Sequence, residues 1–307
     1  MNQIAVTALT ASFTLFFSPP AYADVNMLEG SFRTTFIDAQ VAGFKIERRY
    51  DSRSTFTGLF GFGWCSTFDS QLDLNTLKAQ DCGKTSGVTV RYSNGTYVQV
   101  LANGLTRTFD ADTGALIALQ NGRGSSVEID GAPGAPSAAA RSRLPRAAAL
   151  GEGMKTRPRI SLEFDGLHEN VIALTTPSSR LTFDYNDKHD LLAARNAWNN
   201  LYRFDYDRLH NLTQISYPDG TSEEATYDTD HDRLTQFQGR DRCIETYEHT
   251  ISASANERHQ TSIAKLSCDG KPKRQAVFRF GFIRKIPGAA NGSPSSYQLN
   301  SFERGTK

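Results

Sequence analysis

Four of the six histidines recur at one interval, since His168, His189, His210 and His231 stand 21 residues apart. Imidazoles bind metals and gain charge below about pH 6.5, so such a row could hold metal ions or respond to pH. If one period is a two-stranded hairpin, equivalent positions lie about 9.6 Å apart. Metal–imidazole bonds measure about 2.0–2.1 Å, so successive histidines cannot share one ion. The spacing favours a structural row of turn residues, leaves a pH response open, and predicts neither metal nor cofactor.

Aromatic residues keep the same register. One lies four positions before each histidine, at Phe164, Tyr185, Tyr206 and Tyr227. Leu181, Phe183 and Tyr185 alternate with polar residues, which places them on one face of a strand. The turn formers Asn199-Asn200 and Pro218-Asp219-Gly220 occupy equivalent places in successive units. Each unit is therefore predicted to contain two strands and two turns.

Units of this kind predict an all-β fold, in which stacked β-hairpin repeats form an open, curved antiparallel sheet or partial β-shell. One hairpin is marginal in water, so neighbouring units must stabilise one another. The 19 Phe and 11 Tyr residues, together with many turn formers, agree with short strands. The 34 basic and 33 acidic residues nearly balance, so no nucleic acid is expected as a partner.

The first 23 residues are typical of a secretory signal. An apolar run from Ile4 to Phe17 precedes the small-x-small site Ala21-Tyr22-Ala23, so cleavage is predicted between Ala23 and Asp24. A buried N-terminal strand is the alternative, since Met1-Asn2-Gln3 carries no basic residue. The run is too short for a good membrane span. We expect export to the periplasm, cell surface or medium, without stable membrane insertion.

Export would place the four cysteines in an oxidising compartment, where disulfides form. Three pairings are possible. The pairing Cys65–Cys82 with Cys243–Cys268 closes two short loops and is favoured. A zinc site is disfavoured, because the chain has no C-x-x-C motif.

Five segments are predicted along the chain. Residues 1–23 form the signal, 24–130 an opening domain with a degenerate unit, 131–159 a disordered basic Ala/Pro/Gly-rich insertion, 160–247 the 21-residue repeats, and 248–307 an irregular β segment with a frayed tail. Composition alone makes the insertion unable to bury enough apolar surface to order itself.

The repeats resemble the RHS/YD-repeat family, whose unit begins Tyr-Asp-x-x-Gly-x-Leu. Tyr206-Asp207 and Tyr227-Asp228 match that opening, while histidine replaces the glycine in every unit. The segment from Arg48 to Ser54 and the segment Gly61-Phe62-Gly63-Trp64 resemble the uncharacterised domain that opens many members. The resemblance implies a short family member, and the replaced glycine implies a turn that does not require a positive φ.

The resemblance also implies a setting in toxin delivery or intercellular competition, because large members form a β-shell around a toxin. Their self-cleavage motif begins Asp-Pro, a dipeptide that this sequence lacks. We therefore expect a non-catalytic scaffold or partial shell. Its partner would be a second chain of the family or another copy, since an open sheet leaves a free edge.

Two other functions stay open. If Trp198, Tyr202 and Tyr217 are exposed, they could stack on sugar rings of a cell-surface glycan, although the favoured interpretation is that these rings cover the core. His249 and His259, near Glu248, Glu257 and Arg258, could form a hydrolase or nuclease site. Recurring acidic residues such as Asp184, Asp190, Asp205, Asp228 and Asp232 follow the repeat, so they are interpreted as strand and turn residues. No catalytic residue is assigned.

Overall fold

The computed structural model describes residues 22–131, 157–166, 170–254, 257–285 and 296–306. Every regular element in these ranges is a β-strand, and the strands form three sheets. The prediction of an all-β fold is confirmed. Predictions that concern residues 1–21, residues 132–156 and His168 fall outside the described residues.

The opening segment forms a four-stranded sheet in the order β1-β2-β3-β6. The strands are β1 Tyr22–Asn26, β2 Ser31–Val41, β3 Phe44–Asp51 and β6 Trp64–Ser66, with a small ribbon of β4 Thr57–Gly58 and β5 Gly61–Phe62 before β6. The predicted cleavage site lies inside β1, where Ala23 pairs with Thr34 and Asp24 with Arg33. Cleavage between Ala23 and Asp24 stays a prediction.

The next six strands return on themselves as a ring, which the sequence did not predict. They are β7 Ser70–Asp73, β8 Lys78–Asp81, β9 Lys84–Ser93, β10 Thr96–Val100, β11 Thr106–Asp110 and β12 Leu116–Gln120. Each pairs with its successor. A bridge between Gln71 and Ala115 joins the first of them to the start of the last. Asn94 and Gly95 form the turn between β9 and β10, with φ of 49° and 77°.

A parallel pair connects the ring to the repeats. β13 Ser126–Asp130 pairs antiparallel with β12 but parallel with β14 Arg159–Phe164. Parallel neighbours need a crossover connection of a dozen or more residues. Residues 131–158, most of the predicted insertion, make that connection, so the insertion lies where the sheet changes strand direction.

The repeats follow as hairpins stacked in chain order, as predicted. Their strands are β15 Val171–Thr175, β16 Arg180–Tyr185, β17 Leu191–Arg195, β18 Leu201–Tyr206, β19 Leu212–Ser216, β20 Ser222–Tyr227 and β21 Leu234–Gln238. Leu181 and Phe183 are buried while Thr182 and Asp184 are exposed, which confirms the alternation. Asn199 and Gly220 adopt positive φ in the second turns of their units.

Four longer strands complete the sheet: β22 Ile244–Ala253, β23 Glu257–Cys268, β24 Lys271–Lys285 and β25 Ser296–Thr306. The prediction of a frayed tail is wrong for residues 296–306, which pair along β24 from Lys285 to Ala276. The Gly/Ser/Pro-rich sequence before this segment indicated irregular structure. The segment is nevertheless a strand, because its backbone pairs with the long strand β24. The hydrogen-bonded order of the large sheet closes on itself, and β25 stands between β24 and β7 in that order.

The opening sheet packs on one face of the repeat sheet, which we call the inner face. Phe36 of β2 meets Tyr202 and Phe204 edge to face, with ring centroids 5.1 and 5.3 Å apart. Trp64 is fully buried and lies 5.4 Å from the ring of Phe204. One continuous core therefore joins the opening segment to the repeats.

The cysteines lie in the pairing that short loops favoured. Cys65 and Cys82 have Cα atoms 5.5 Å apart, and Cys243 and Cys268 have Cα atoms 4.3 Å apart, both pairs with sulfurs at bonding distance. The first pair ties β6 to the turn after β8, and the second ties the start of β22 to the end of β23. Each pair links two strands of the folded chain.

Replacing Cys65 and Cys82 together by alanine should lower the free energy of unfolding by about 3 kcal/mol, because the closed loop restricts the unfolded chain. Urea unfolding of the oxidised protein measures this loss. Peptide mapping without reductant supplies the control, since it should yield the two linked peptides and no free thiol. Recovery of a Cys65–Cys243 or Cys65–Cys268 peptide would contradict the assigned pairing.

Candidate functional site

Three of the four predicted histidines, His189, His210 and His231, lie in turns that join the two strands of a unit. We call these turns, residues 186–190, 207–211 and 228–233, the turn row. The residue after each tyrosine caps its turn: the side-chain Oδ1 of Asn186 accepts from two backbone amides, and that of Asp207 does the same. The second letter of the Tyr-Asp motif is therefore a turn cap, which explains the recurring acidic residues without chemistry.

The histidines occupy left-handed positions, so the expectation of a turn without positive φ is wrong. His189 has φ of 66° and His210 has φ of 67°. They stand where the family has glycine, the residue that adopts this conformation without strain. In the last unit one extra residue shifts the position to Asp232, with φ of 57°, and leaves His231 largely exposed.

Each left-handed residue reaches back to the preceding unit. His210 Nδ1 lies 2.6 Å from Oδ1 of buried Asp190, and His189 Nδ1 lies 3.5 Å from Nδ2 of buried Asn170. Asn211 makes the equivalent contact with Asp232. The row is thus a set of hydrogen bonds between neighbouring units. Among the described residues, no three His, Cys, Asp or Glu side chains form a group that could hold a metal ion.

The carbonyl groups of the same positions face the opening segment. The carbonyl of His189 accepts from the amide of Phe62 at 3.3 Å, and that of His210 accepts from the Tyr50 hydroxyl at 2.9 Å. Arg53 donates to the carbonyls of His231 and Asp232 at 2.8 and 3.1 Å. The left-handed conformation points these carbonyls away from the hairpin. The opening segment therefore docks along the turn row, and we call this line of contacts the docking line.

Backbone amides at the start of each second strand complete this contact. Val171 donates to the carbonyl of Leu59 at 2.8 Å, and Leu234 donates to that of Gly30 at 2.9 Å. Leu212 donates to the Tyr50 hydroxyl at 2.9 Å. Burial raises the pKa of Tyr50 well above its ordinary value, so its hydroxyl stays protonated and can donate while it accepts.

A buried ion pair lies behind this docking line, and sequence reasoning missed it. Arg48 binds Asp38 through two hydrogen bonds of 2.5 and 2.9 Å, and both side chains are almost fully buried. The guanidinium carbon lies 4.9–6.0 Å from the centroids of five aromatic rings, which belong to Phe36, Phe60, Trp64, Phe183 and Phe204. Such contacts stabilise a desolvated cation by about 2 kcal/mol or more.

A signal for this pair exists in the sequence. Strand alternation puts Asp38 on the face of Phe36, and Arg48 on the face of Ile46 and Tyr50. Two opposite charges on the buried faces of adjacent strands can only be tolerated as partners. No pattern in the sequence indicates which five rings surround Arg48, because two of the rings belong to repeats far along the chain.

The alternative sites are not assembled. His249 pairs with Ser262 on the inner face, whereas His259 lies at an odd position of β23 on the opposite face and contacts Glu257 at 3.3 Å. Side chains on opposite faces of a sheet cannot converge. Glu248 also points away from the inner face and binds Lys265. The residues of the alternative hydrolase or nuclease site are therefore not brought together in the structure.

The alternative sugar platform is not assembled on the surface. Tyr202 and Tyr217 are each only 7% exposed and meet edge to face in the core. Trp198 is half-buried at a turn. The favoured interpretation, that these rings cover the core, is confirmed for Tyr202 and Tyr217, because hairpin stacking turns Tyr202 toward Phe36 of the opening sheet.

The inner face of β24 and β25 presents one exposed aromatic ring. Phe302 of β25 is 54% exposed, although its neighbour Phe280 on β24 is buried against it with centroids 5.2 Å apart. An open cleft of about 260 Å³ separates this face from β1, the edge strand of the opening sheet. Its lining includes Asp24, Phe32, Phe237, Glu245, Tyr247, Arg274, Phe278 and Arg304.

Two family models match the chain. One, described as "Domain of unknown function (DUF6531)", matches residues 23–99, and one described as "RHS Repeat" matches residues 164–222. The repeat region therefore matches the RHS-repeat family. The matched region contains β16 to β19 and the histidine turns at 189 and 210, so the docking line described above is built in part by residues that match the RHS repeat.

Among solved structures, the chain is similar to one titled "Crystal Structure of TcdB2-TccC3-TEV", at 11% sequence identity and a TM-score of 0.23. The match covers 88% of this chain and 18% of that chain, so the present chain spans less than one fifth of that chain's length. No curated protein matches the chain. None of the described residues forms a helix that could cross a membrane.

Replacing Arg48 by methionine should lower the free energy of unfolding by about 3–5 kcal/mol, because Asp38 is then left as an unpaired buried charge. The double variant Asp38→Leu/Arg48→Met should recover a large part of this loss. Urea unfolding followed by tryptophan fluorescence measures both. The exposed neighbour Arg49→Met is the control, and an equal loss in that variant would contradict the assigned role of the pair.

His249 should make the protein less stable in acid. Burial lowers its pKa, and the charge of Arg233 lowers it further, so the unfolded state binds a proton more readily than the folded state. Stability therefore rises with pH through the window below the ordinary value of 6.5 and is lost as pH falls through it. His249→Gln should show a smaller loss of urea midpoint between neutral and mildly acidic buffer.

The exposed His231→Gln variant is the matched control for His249, and its pH dependence should equal that of the unmodified protein. A His249→Gln protein that keeps the full acid loss would show that other groups cause it.

Proposed function

We propose that this chain is a non-catalytic, exported scaffold that binds another polypeptide at the inner face of β24 and β25. The observation that carries the proposal is the exposed aromatic ring of Phe302, on the strand that also lines an open cleft through Arg304. Large exposed apolar side chains beside a cleft are typical of surfaces that bind another protein.

The polar residues of the repeats support a scaffold. Asp190, Asn211 and His210 are engaged in contacts between units, and the turn carbonyls are engaged with the opening segment. These are the residue types that an acid–base or metal site would need, and here they hold strands together. A rigid sheet that keeps its exposed surface in place is suited to binding.

Export is supported by the cysteines. Two disulfide pairs are typical of proteins from oxidising compartments. The pair Cys243–Cys268 also braces the base of β22 and β23, and β23 lies two strands away from β25. We therefore place the partner in the same compartment, and association with a toxin-delivery or competition system remains part of this proposal.

Replacing Phe302 by lysine should abolish binding of the partner polypeptide. Size-exclusion chromatography with light scattering measures the mass of the full chain alone and with each polypeptide encoded beside it. The unmodified protein should form a complex that Phe302→Lys does not form, because a lysine desolvated at the interface is costly. Val100→Lys, at an equally exposed apolar residue on β10, should bind normally.

A monomer that ignores every candidate would contradict the proposal. So would a complex that Phe302→Lys forms as well as the unmodified chain does.

A further inference from the structure

Four basic side chains from three parts of the chain converge beside the turn between β1 and β2. We call them the basic cluster: Arg53, Arg233, His249 and Arg258. A Cβ atom placed on Gly30 of that turn would lie 2.9 Å from Cγ of Arg233 and 3.1 Å from Nε2 of His249, so these two side chains flank the same point. Arg53 donates to the carbonyl of Asp232 at 3.1 Å, which places its guanidinium beside Arg233.

Arg258 reaches the basic cluster from β23. It lies two residues before Gln260, whose side-chain amide donates to the carbonyl of Leu28 in the same turn at 2.6 Å. Alternate residues of a strand share one face, so Arg258 also faces the opening segment. Burial lowers the pKa of Arg233, and the charges of Arg53 and Arg258 lower it further. The like charges are therefore close enough to repel one another.

Two of these guanidinium groups have no counter-ion. Within the ranges that the structure describes, neither Arg233 nor Arg258 forms a side-chain hydrogen bond or an ion pair, and the Nε atoms of both are buried without a partner. Both residues are otherwise only half-buried, so the outer ends of their side chains can meet a ligand. A partly desolvated charge without a partner costs free energy until an opposite charge binds it.

The carboxylates around the basic cluster are bound by other groups. Asp228 opposes the shift in the pKa of Arg233, but among the described contacts no ion pair joins the two. Asp228 instead caps its own turn, where Oδ1 accepts from two backbone amides. Asp232 pairs with Arg53 at 3.6 Å, and Glu29 pairs with an arginine of β2 at 2.7 Å. Two positive charges of the cluster therefore stay uncompensated.

We infer that the basic cluster is a binding site for a tetrahedral oxyanion, that is, a phosphate or sulfate group. A guanidinium presents paired N–H donors that match the oxygens of such a group, so Arg233 and Arg258 can bind it from two sides. A dianion balances the two uncompensated charges, whereas a carboxylate brings one charge and two oxygens. The inference is independent of the proposed polypeptide binding, because Phe302 is not part of the cluster.

Isothermal titration calorimetry of the full chain tests the site with sodium sulfate, phosphate and acetate, in chloride buffer at neutral pH and constant ionic strength. Sulfate and phosphate should each bind one equivalent with a Kd of about 1 mM or below, at least about tenfold more tightly than acetate. Glycerol 3-phosphate separates the sources of the group. Tighter binding of this ester than of inorganic phosphate assigns the site to an esterified ligand, and equal binding assigns it to the free anion.

Arg233→Met and Arg258→Met should each weaken sulfate binding at least about tenfold, because each removes a charged pair of donors. Without sulfate, both variants should unfold at the same urea concentration as the unmodified protein or at a higher one, because each relieves repulsion between like charges. A lower midpoint in both variants would show that the two guanidinium groups serve the fold, and would overturn the inference.

Arg203→Met, at an exposed arginine on the outer side of β18, is the matched control and should bind sulfate as the unmodified protein does. An equal loss of affinity in this variant would mean that net charge and not the basic cluster binds the anion. Acetate binding as tight as sulfate binding would contradict a tetrahedral ligand. Absence of binding up to about 10 mM sulfate would overturn the site altogether.

Discussion

The buried pair of Asp38 and Arg48 is the interaction on which the rest of the structure depends. A guanidinium taken out of water needs a carboxylate and a favourable surround, and five aromatic rings from the opening segment and the repeats supply that surround. The charge can be buried only when both parts of the chain are in place. The pair therefore makes the correct docking of the two parts a condition of stability.

That docking explains why the turns of the repeats are so regular. A 21-residue unit presents one left-handed residue per turn, and the carbonyls at 189, 210 and 231 are each bound by a donor from the opening segment. The segment is thus held along a line and not at one point. Histidine is tolerated where glycine is usual because its ring also binds the preceding unit, as His210 binds Asp190.

The same arrangement leaves part of the inner face exposed. The opening sheet covers the inner face as far as the cleft beside β1, whereas Phe302 of β25 lies in solvent. Arg274 and Arg304 line that cleft, so the surface is aromatic and basic, and the proposed recognition of another chain fits the structure best there.

Periodicity in the sequence determined the repeats. A strict 21-residue register fixed the strands, the buried face of Leu181 and Phe183, and the second turns at Asn199 and Gly220, because strand alternation and turn chemistry are local properties. The family resemblance and the short-loop cysteine pairing followed from residue types and spacing in the same way. The sequence predicted that His189 and His210 are turn residues but not that their φ is positive, because contacts outside the turn determine their backbone conformation.

Tertiary structure alone decided how the parts meet. The ring closed by Gln71 and Ala115, the parallel pair of β13 and β14, and the strand status of residues 296–306 depend on pairing between distant segments. The burial of Tyr202 and Tyr217 and the separation of His249 from His259 depend on which face another element covers. Periodicity describes one strand at a time, whereas burial of a charge such as Arg48 requires all of its neighbours at once.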